Sequence, residues 1–294
     1  MDLDLRTRHA ATMPVHVRAS LLIVFSMAAA TERADAQWVE APGHGWLDVT
    51  VYHIDTMEQF ELDGNVREIF AEGHAVNTSV FLTFVAGMLP GVDAWVQAPY
   101  HRLKYSDVLR DRLRTGIGDI RLHLRVAPLQ YFDFELPVAL RGGVKIPMGD
   151  FAVDAEVIPL GDGQRDWELA AEIGHSFHPS PIHVGGWAGY RWREPNPDLR
   201  RDFGNEAFFL VQAGGNYGLL GMQVIAEGMK TTTTPVFENV PLRNTRRSIL
   251  QFTPQISLEI RGGALRVGSR IPVWGRNLLA GRSWVVGYFT SWAL

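Results

Sequence analysis

The chain has 294 residues, no cysteine and a formal net charge of −4 at pH 7. This length allows one large domain, and the small net charge gives no indication of a nucleic-acid partner. The absence of cysteine excludes a disulfide scaffold, thiolate metal sites and cysteine nucleophiles. The composition is therefore compatible with an exported protein, but it does not indicate a particular reaction or ligand.

A short apolar segment near the N-terminus has the form of a secretory signal peptide. Residues 20–30 make its apolar core, and Ala34-Asp35-Ala36 matches a small-x-small cleavage pattern. The core is too short for a membrane-spanning helix, which needs about 20 residues. We expect residues 1–36 to be removed and residues 37–294 to form one mature domain, with Met13 as an alternative start.

Residues 118–126 separate apolar from charged side chains without a break. The apolar set is Ile120, Leu122, Leu124 and Val126, and the charged set is Asp119, Arg121, His123 and Arg125. Successive side chains of a strand point to opposite faces, so one face of this strand is apolar and the other charged. The apolar set is expected to meet lipid and the charged set a lumen.

The same alternation recurs along the mature chain in segments of about ten residues, which is typical of a membrane-spanning β-barrel. The predicted strands cover residues 46–54, 77–87, 92–103, 118–126, 132–146, 166–173, 182–193, 206–217, 221–230, 250–259, 265–273 and 284–294. The phase is ambiguous in the eighth and ninth. We therefore predict an all-β fold, a transmembrane antiparallel β-barrel of about 12 strands after the signal peptide.

Connector lengths support a barrel over a soluble sandwich. Long connectors follow the odd-numbered strands, at about residues 55–75, 104–116, 147–164, 194–204 and 231–247, whereas those after even-numbered strands are short. Outer-membrane barrels combine short periplasmic turns with long extracellular loops. This pattern predicts a location in the outer membrane of a Gram-negative-type bacterium.

Two further features predict contacts with the membrane and its machinery. Aromatic residues near strand ends are expected to form interfacial girdles against outer-membrane lipid: Trp46, Tyr100, Trp167, Tyr190, Trp192, Trp284 and Trp292. The last strand is apolar and ends the chain, as in the signal that outer-membrane assembly machinery reads. The predicted partners are therefore lipid, that machinery and a small-molecule ligand, without nucleic acid.

Polar residues on the inward faces are the candidate functional set. They are Asp119, Arg121, His123, Arg125, Arg141, Lys145, Asp166, Glu168, Glu172, His183, Arg191, Arg193, Gln251, Glu259, Arg266 and Arg270. One interpretation is a cross-strand ladder of ion pairs that fills a narrow lumen. The other is a permeation path that selects ligands by charge. The size of the barrel does not decide between them.

Catalytic and metal sites are not predicted, and no cofactor is expected. An outer-membrane lipase would need a serine nucleophile, but no Gly-x-Ser-x-Gly elbow occurs. His175 and Ser176 are adjacent, so strand alternation points them to opposite faces and they cannot act together. Alternation also separates His175 from His183, and the aspartates at 162 and 166 lack the spacing of a known calcium loop.

Four segments resemble the outer-membrane protein family named for the meta-pathway of phenol degradation. They are Gly116-Ile117-Gly118-Asp119-Ile120, Gly142-Gly143-Val144-Lys145-Ile146-Pro147, Pro159-Leu160-Gly161-Asp162-Gly163-Gln164 and Gly189-Tyr190-Arg191-Trp192-Arg193. The resemblance implies a barrel for the passage of small hydrophobic or aromatic compounds. A structural or adhesive barrel without transport is the alternative, and a lipase-type enzyme is a more distant one.

Overall fold

The computed structural model describes residues 39–132, 137–148 and 158–293. The predicted signal peptide lies outside these residues, so its cleavage stays a prediction. No helix among the described residues is long and apolar enough to cross a bilayer.

The described residues form a closed antiparallel barrel whose strands we number β1–β12 in chain order. The strands are β1 (His44–Thr56), β2 (His74–Leu89), β3 (Val92–Ser106), β4 (Asp111–Ile117 and Ile120–Val126), β5 (Val138–Ile146), β6 (Asp166–Ser176), β7 (Ile182–Arg193), β8 (Glu206–Tyr217), β9 (Leu220–Thr231), β10 (Ser248–Ile260), β11 (Gly263–Arg276) and β12 (Ser283–Ala293). The predicted fold class is confirmed.

Pairing between the first and last strands closes the barrel. β12 pairs with β1 from His44 opposite Ala293 to Ile54 opposite Ser283, and every other barrel strand pairs with its neighbours in sequence. An unpaired backbone N–H or C=O inside a bilayer would cost several kcal/mol, so a sheet in lipid must have no free edge. Closure satisfies this requirement.

The prediction of a long loop over residues 104–116 is wrong. β3 extends to Ser106 and β4 begins at Asp111, so only a tight turn lies between them. The Asp107 carboxylate accepts hydrogen bonds from the backbone N–H groups of Leu109 and Arg110, which closes this turn. The first part of β4 pairs with β3 alone, so this hairpin extends past the end of β5.

The fifth strand begins later than predicted, and the connector before it is longer. Pro128–Phe132 is a 3-10 helix, and β5 starts at Val138 after Pro137. Proline has no backbone N–H for a strand ladder, which favours the start of the strand after Pro137. Residues 133–136 of the predicted strand lie outside the described part of the chain.

The outward faces of the strands are apolar, as predicted. Leu122 and Leu124 of β4 are exposed on this face, and Leu140 of β5 and Leu169 of β6 continue it around the wall. An exposed apolar band of this kind is the surface that an outer-membrane barrel presents to lipid.

The aromatic residues at the strand ends divide between the two faces. Tyr100, Trp167, Trp192 and Trp284 are exposed on the outer face. Trp46 was predicted to join them but faces inward, with its ring 5.8 Å from the rings of Trp95 and Phe289. The alternation of this strand indicates the inner face, because Trp46 lies two residues before the inward-facing Asp48.

The segment before β1 enters the barrel at the end where the short connectors lie. Val39 is 1% exposed, and the backbone N–H of Glu40 donates to Oδ2 of the inward-facing Asp93 at 2.9 Å. Pro42 bridges to Gly87, where a Cβ atom would collide with the Ala41 backbone. The segment therefore narrows this opening, and Gly87 permits its close approach.

A charge placed on the outer face should destabilise the barrel according to its depth. Leu82 lies near the middle of β2 and is 46% exposed, and Leu82→Arg should lower the free energy of unfolding by about 2–4 kcal/mol. Leu113→Arg is the matched control because Leu113 lies on the hairpin beyond β5, where the loss should be about 0–1 kcal/mol. Urea unfolding in liposomes measures both, and equal losses would contradict the assignment of the outer face.

Candidate functional site

Charged side chains from β3 to β8 cover one side of the barrel interior, and most of them are buried. We call this set the ionic wall: Asp93, Asp119, Arg121, His123, Arg125, Arg141, Lys145, Asp166, Glu168, Glu172, Arg191, Arg193 and Glu206. All but Asp93 and Glu206 belong to the inward set predicted from the sequence. The alternation of each strand directs them inward, and the pairing register brings them side by side.

The part of the ionic wall nearest the short connectors is organised around Arg125. Its Nη2 and Nε atoms contact both carboxylate oxygens of Asp93 at 2.6 and 2.9 Å. Glu172 lies 3.4 Å from the Nη1 atom of Arg125 and 3.1 Å from that of Arg141. A bidentate arginine–carboxylate pair is strong and geometrically specific, so this part of the wall is firmly held.

Two tryptophan rings enclose the guanidinium of Arg141. Its Cζ atom lies 4.7 Å from the Trp95 ring centroid and 5.0 Å from that of Trp187. A cation over an aromatic face gains about 0.5–2 kcal/mol, more when desolvated. The rings therefore supplement the single carboxylate that Arg141 shares with Arg125.

The opposite part of the ionic wall is organised around Lys145 and Glu206. Lys145 Nζ lies 2.5 Å from Asp162, 2.8 Å from Asp166 and 3.2 Å from Asp119. Glu206 is 1% exposed and contacts three guanidinium groups. These belong to Arg191 at 2.7 Å, Arg193 at 3.1 Å and Arg247 at 3.2 Å.

Glu168 lies between the two parts of the ionic wall. One carboxylate oxygen lies 2.7 Å from Arg191 Nε, and the other lies 3.2 Å from His123 Nε2. His123 also packs its ring 5.8 Å from the Trp95 ring. Among the described residues, the ion pairs and hydrogen bonds therefore form two groups, which meet through the Trp95 ring that also lies over Arg125 and Arg141.

Arg121 differs from the other cations of the ionic wall. It faces inward between Gln97 and Lys145 in the strand register and is partly exposed to the lumen. Within residues 39–132, 137–148 and 158–293, no hydrogen bond or ion pair joins its guanidinium to another group.

The other side of the interior is polar but largely uncharged. We call it the polar wall: the inward-facing Gln212 of β8, Gln223 of β9, and Gln251, Gln255 and Ser257 of β10, all partly exposed. Two ion pairs flank it, between Arg270 and Glu227 at 3.0 Å and between Arg266 and Asp48. Arg270 also lies 4.0 Å from the Tyr52 ring.

The two remaining predicted residues are placed apart from both ion-pair groups. His183 faces inward on β7 beside Gly214, where a Cβ would come within 2.9 Å of its Nε2 atom. Glu259 lies near the end of β10 and is exposed. The sixteen predicted residues are therefore not one site: eleven lie in the ionic wall, Gln251, Arg266 and Arg270 lie in or beside the polar wall, and His183 and Glu259 lie apart.

Several residues of the ionic wall were missed by the sequence analysis. Glu206 opens β8, whose phase the alternation left ambiguous, but an acidic residue close after the basic end of β7 was an available signal. Asp162 was interpreted as a turn residue. Trp95 and Trp187 alternate with small side chains, and nothing in their own strands predicted contact with Arg141.

Asp162 fixes the connector between β5 and β6 onto the ionic wall. Its backbone N–H donates to Asp119 and its carbonyl accepts from Asn196. Burial opposes ionisation of its carboxyl group, but Lys145 and Arg193 outweigh burial and hold its pKa well below the usual range. The carboxylate therefore stays charged, and the connector stays attached, in mild acid.

The groups considered for catalysis or metal binding do not converge. His175 is exposed on the outer face, whereas its neighbour Ser176 pairs with His183 on the inner one. Among the described residues, no group of three or more histidine or acidic side chains is arranged to hold a metal ion.

Removing the charge of Glu206 should destabilise the barrel strongly. Glu206→Gln leaves three buried or part-buried guanidinium groups without their shared carboxylate, and breaking a buried pair costs about 3–5 kcal/mol. Glu238→Gln is the control, since its exposed contact with Arg200 at 3.7 Å is worth about 0–1 kcal/mol. Urea unfolding midpoints compare them, and a negligible effect of Glu206→Gln would contradict the described network.

The contribution of Asp162 should depend on pH in a defined direction. Its folded pKa lies below the unfolded value of 3.8, so the stabilisation is present above that pH and is lost progressively as the pH falls from there towards the lower folded pKa. The difference in unfolding midpoint between wild type and Asp162→Asn should therefore stay constant from about pH 8 to 6 and shrink below about pH 4. A difference already lost at about pH 6 would be inconsistent with this attachment.

No protein-family model matches the chain, and no curated protein matches it at a significant level. Among solved structures, the COG4313 outer membrane channel from Pseudomonas putida F1 is similar, with a TM-score of 0.70 and 12% identity over 90% of this chain and 100% of that one. The NalP translocator domain from Neisseria meningitidis and the CymD monoaromatic hydrocarbon channel each give a TM-score of 0.47, at 12% and 8% identity. They cover 87% of this chain, and 91% and 90% of their own. The fold is that of Gram-negative outer-membrane barrels, as predicted.

Proposed function

We propose that the protein is an outer-membrane channel through which small molecules pass passively along the polar wall. The observation that carries this proposal is the difference in burial between the two sides of the interior. Apart from Arg121, the charged groups of the ionic wall are paired and mostly buried, whereas the glutamine side chains of β8, β9 and β10 remain partly exposed inside the barrel. Space for a solute therefore adjoins the polar wall.

The side chains beside the polar wall suit small, partly apolar solutes. Phe208 and Leu210 on β8 and Ile225 on β9 face inward among the glutamines and are partly exposed. Amide groups exchange hydrogen bonds with polar parts of a solute, and aromatic or aliphatic side chains contact its apolar parts. This mixture supports passage of hydrophobic or aromatic compounds, the class implied by the resemblance to the phenol meta-pathway family.

The similar Pseudomonas putida protein is described as a channel, which supports the same role here. We propose no enzymatic activity, because the His175 and Ser176 side chains point to opposite faces. The alternative is a structural or adhesive barrel without transport, and the segment at residues 39–42, which narrows one opening, is the observation in its favour.

Blocking the polar wall should reduce passage without harming the fold. In Gln255→Trp a bulky indole enters the interior, whereas in Ile256→Trp the same side chain enters lipid from the next residue of β10. Swelling of liposomes in small uncharged solutes, and conductance in planar bilayers, should fall severalfold for the first variant only.

Wild-type barrels that migrate as folded species on heat-modifiable gels, yet show neither swelling nor conductance, would contradict the channel. Equal loss of passage in both variants would place the solute path elsewhere.

A further inference from the structure

Arg121 carries a charge that the interior of the barrel does not neutralise by direct contact. Six other cations of this side each lie within 4.0 Å of a carboxylate: Arg125, Arg141, Lys145, Arg191, Arg193 and Arg247. In the part of the chain that the structure describes, the guanidinium of Arg121 has no such partner. It is nevertheless held at a central, inward-facing position of β4.

The carboxylates nearest to Arg121 contact other cations instead. Glu168 is bound by Arg191 and His123, and Asp166 by Lys145 and Arg193. An isolated guanidinium in a protein interior is unfavourable unless an anion or hydrogen-bond acceptors approach it. Since Arg121 is partly exposed to the lumen, an anion arriving through the barrel can reach it.

We propose that Arg121 binds the carboxylate of a small organic acid in the lumen. This inference rests on the proposed function, because the acid reaches Arg121 through the channel. A guanidinium presents a planar pair of N–H donors that matches the two oxygens of a carboxylate. A singly charged ligand is expected, since the charged groups around Arg121 are mixed in sign: the cation Arg191 and the carboxylates of Glu168, Asp162 and Asp166.

Aromatic surface next to Arg121 favours an acid that carries a ring. Trp95 faces inward opposite His123, which lies two residues from Arg121 on the same face of β4. The Trp95 ring packs against Trp46, His123 and the guanidinium of Arg141, and the residue remains partly exposed. Benzoate combines one carboxylate with one ring and is therefore the probe of choice.

Calorimetric titration of the full barrel in detergent tests the site with benzoate, its neutral analogue benzamide and the dianion phthalate. Wild type should bind benzoate more tightly than either, and Arg121→Gln should weaken benzoate binding at least about tenfold, the loss of one charge-assisted pair. Arg121→Lys, which keeps the charge without the planar fork, should bind with intermediate affinity. The control Arg247→Gln removes a guanidinium that is already paired with Glu206 and should leave benzoate binding unchanged.

Liposome swelling on the same samples separates this proposal from the channel itself. Binding of benzoate that depends on Arg121, without any solute passage, would support the site and contradict the channel. Solute passage together with equal benzoate affinity in wild type and Arg121→Gln would support the channel and overturn the site. Absence of benzoate binding to wild type, or equal binding of phthalate, would also overturn it.

Discussion

The structure depends on the requirement that every backbone polar group in a bilayer has a hydrogen-bond partner. A sheet meets it only by closing, which the pairing of β12 with β1 accomplishes. Once the sheet is closed, alternate side chains of each strand must point either to the outside or to the inside of the barrel. One face contacts lipid and must be apolar, and the other faces an interior that can hold charge.

Charged side chains are distributed unevenly around the interior. Strands β3 to β8 carry charges that pair with one another, apart from Arg121, and Glu206, Glu172 and Lys145 each contact two or three partners. Buried charged groups lose their hydration, and their mutual attraction offsets this cost only with good geometry and additional hydrogen bonds. Groups that contact two or three partners of opposite charge obtain those additional contacts. The network packs one side of the interior, and the glutamine side is where we propose that solutes pass.

Much of the fold follows from local sequence. The orientation of β4 was predictable because apolar residues such as Leu122 alternate with charged or polar residues such as His123. The structure exposes Leu122 on the outer face and buries His123 inside the barrel. The turn at Asp107 was not predictable from composition, because it depends on two backbone N–H groups that donate to one carboxylate. Trp46 also escaped prediction, because an aromatic residue suits an interfacial girdle and a packed interior equally well.

The site was less predictable than the fold. The two interpretations of the inward charges could not be separated in the sequence, because pairing depends on the register between strands and on a connector residue, Asp162. Arg121 and Arg125 look alike along β4, yet only Arg125 meets a carboxylate. This difference arises from the position of Asp93 on the neighbouring strand.

The distinction between a packed ionic wall and an accessible polar wall is the central claim, and thiol labelling tests it most directly. The chain has no cysteine, so single substitutions can be placed at will. In proteoliposomes, a membrane-impermeant maleimide should react readily with Gln255→Cys on β10 and very slowly with Ala170→Cys, which faces inward beside Glu168 on β6 and is buried. Equal labelling of the two positions in folded barrels would contradict the account.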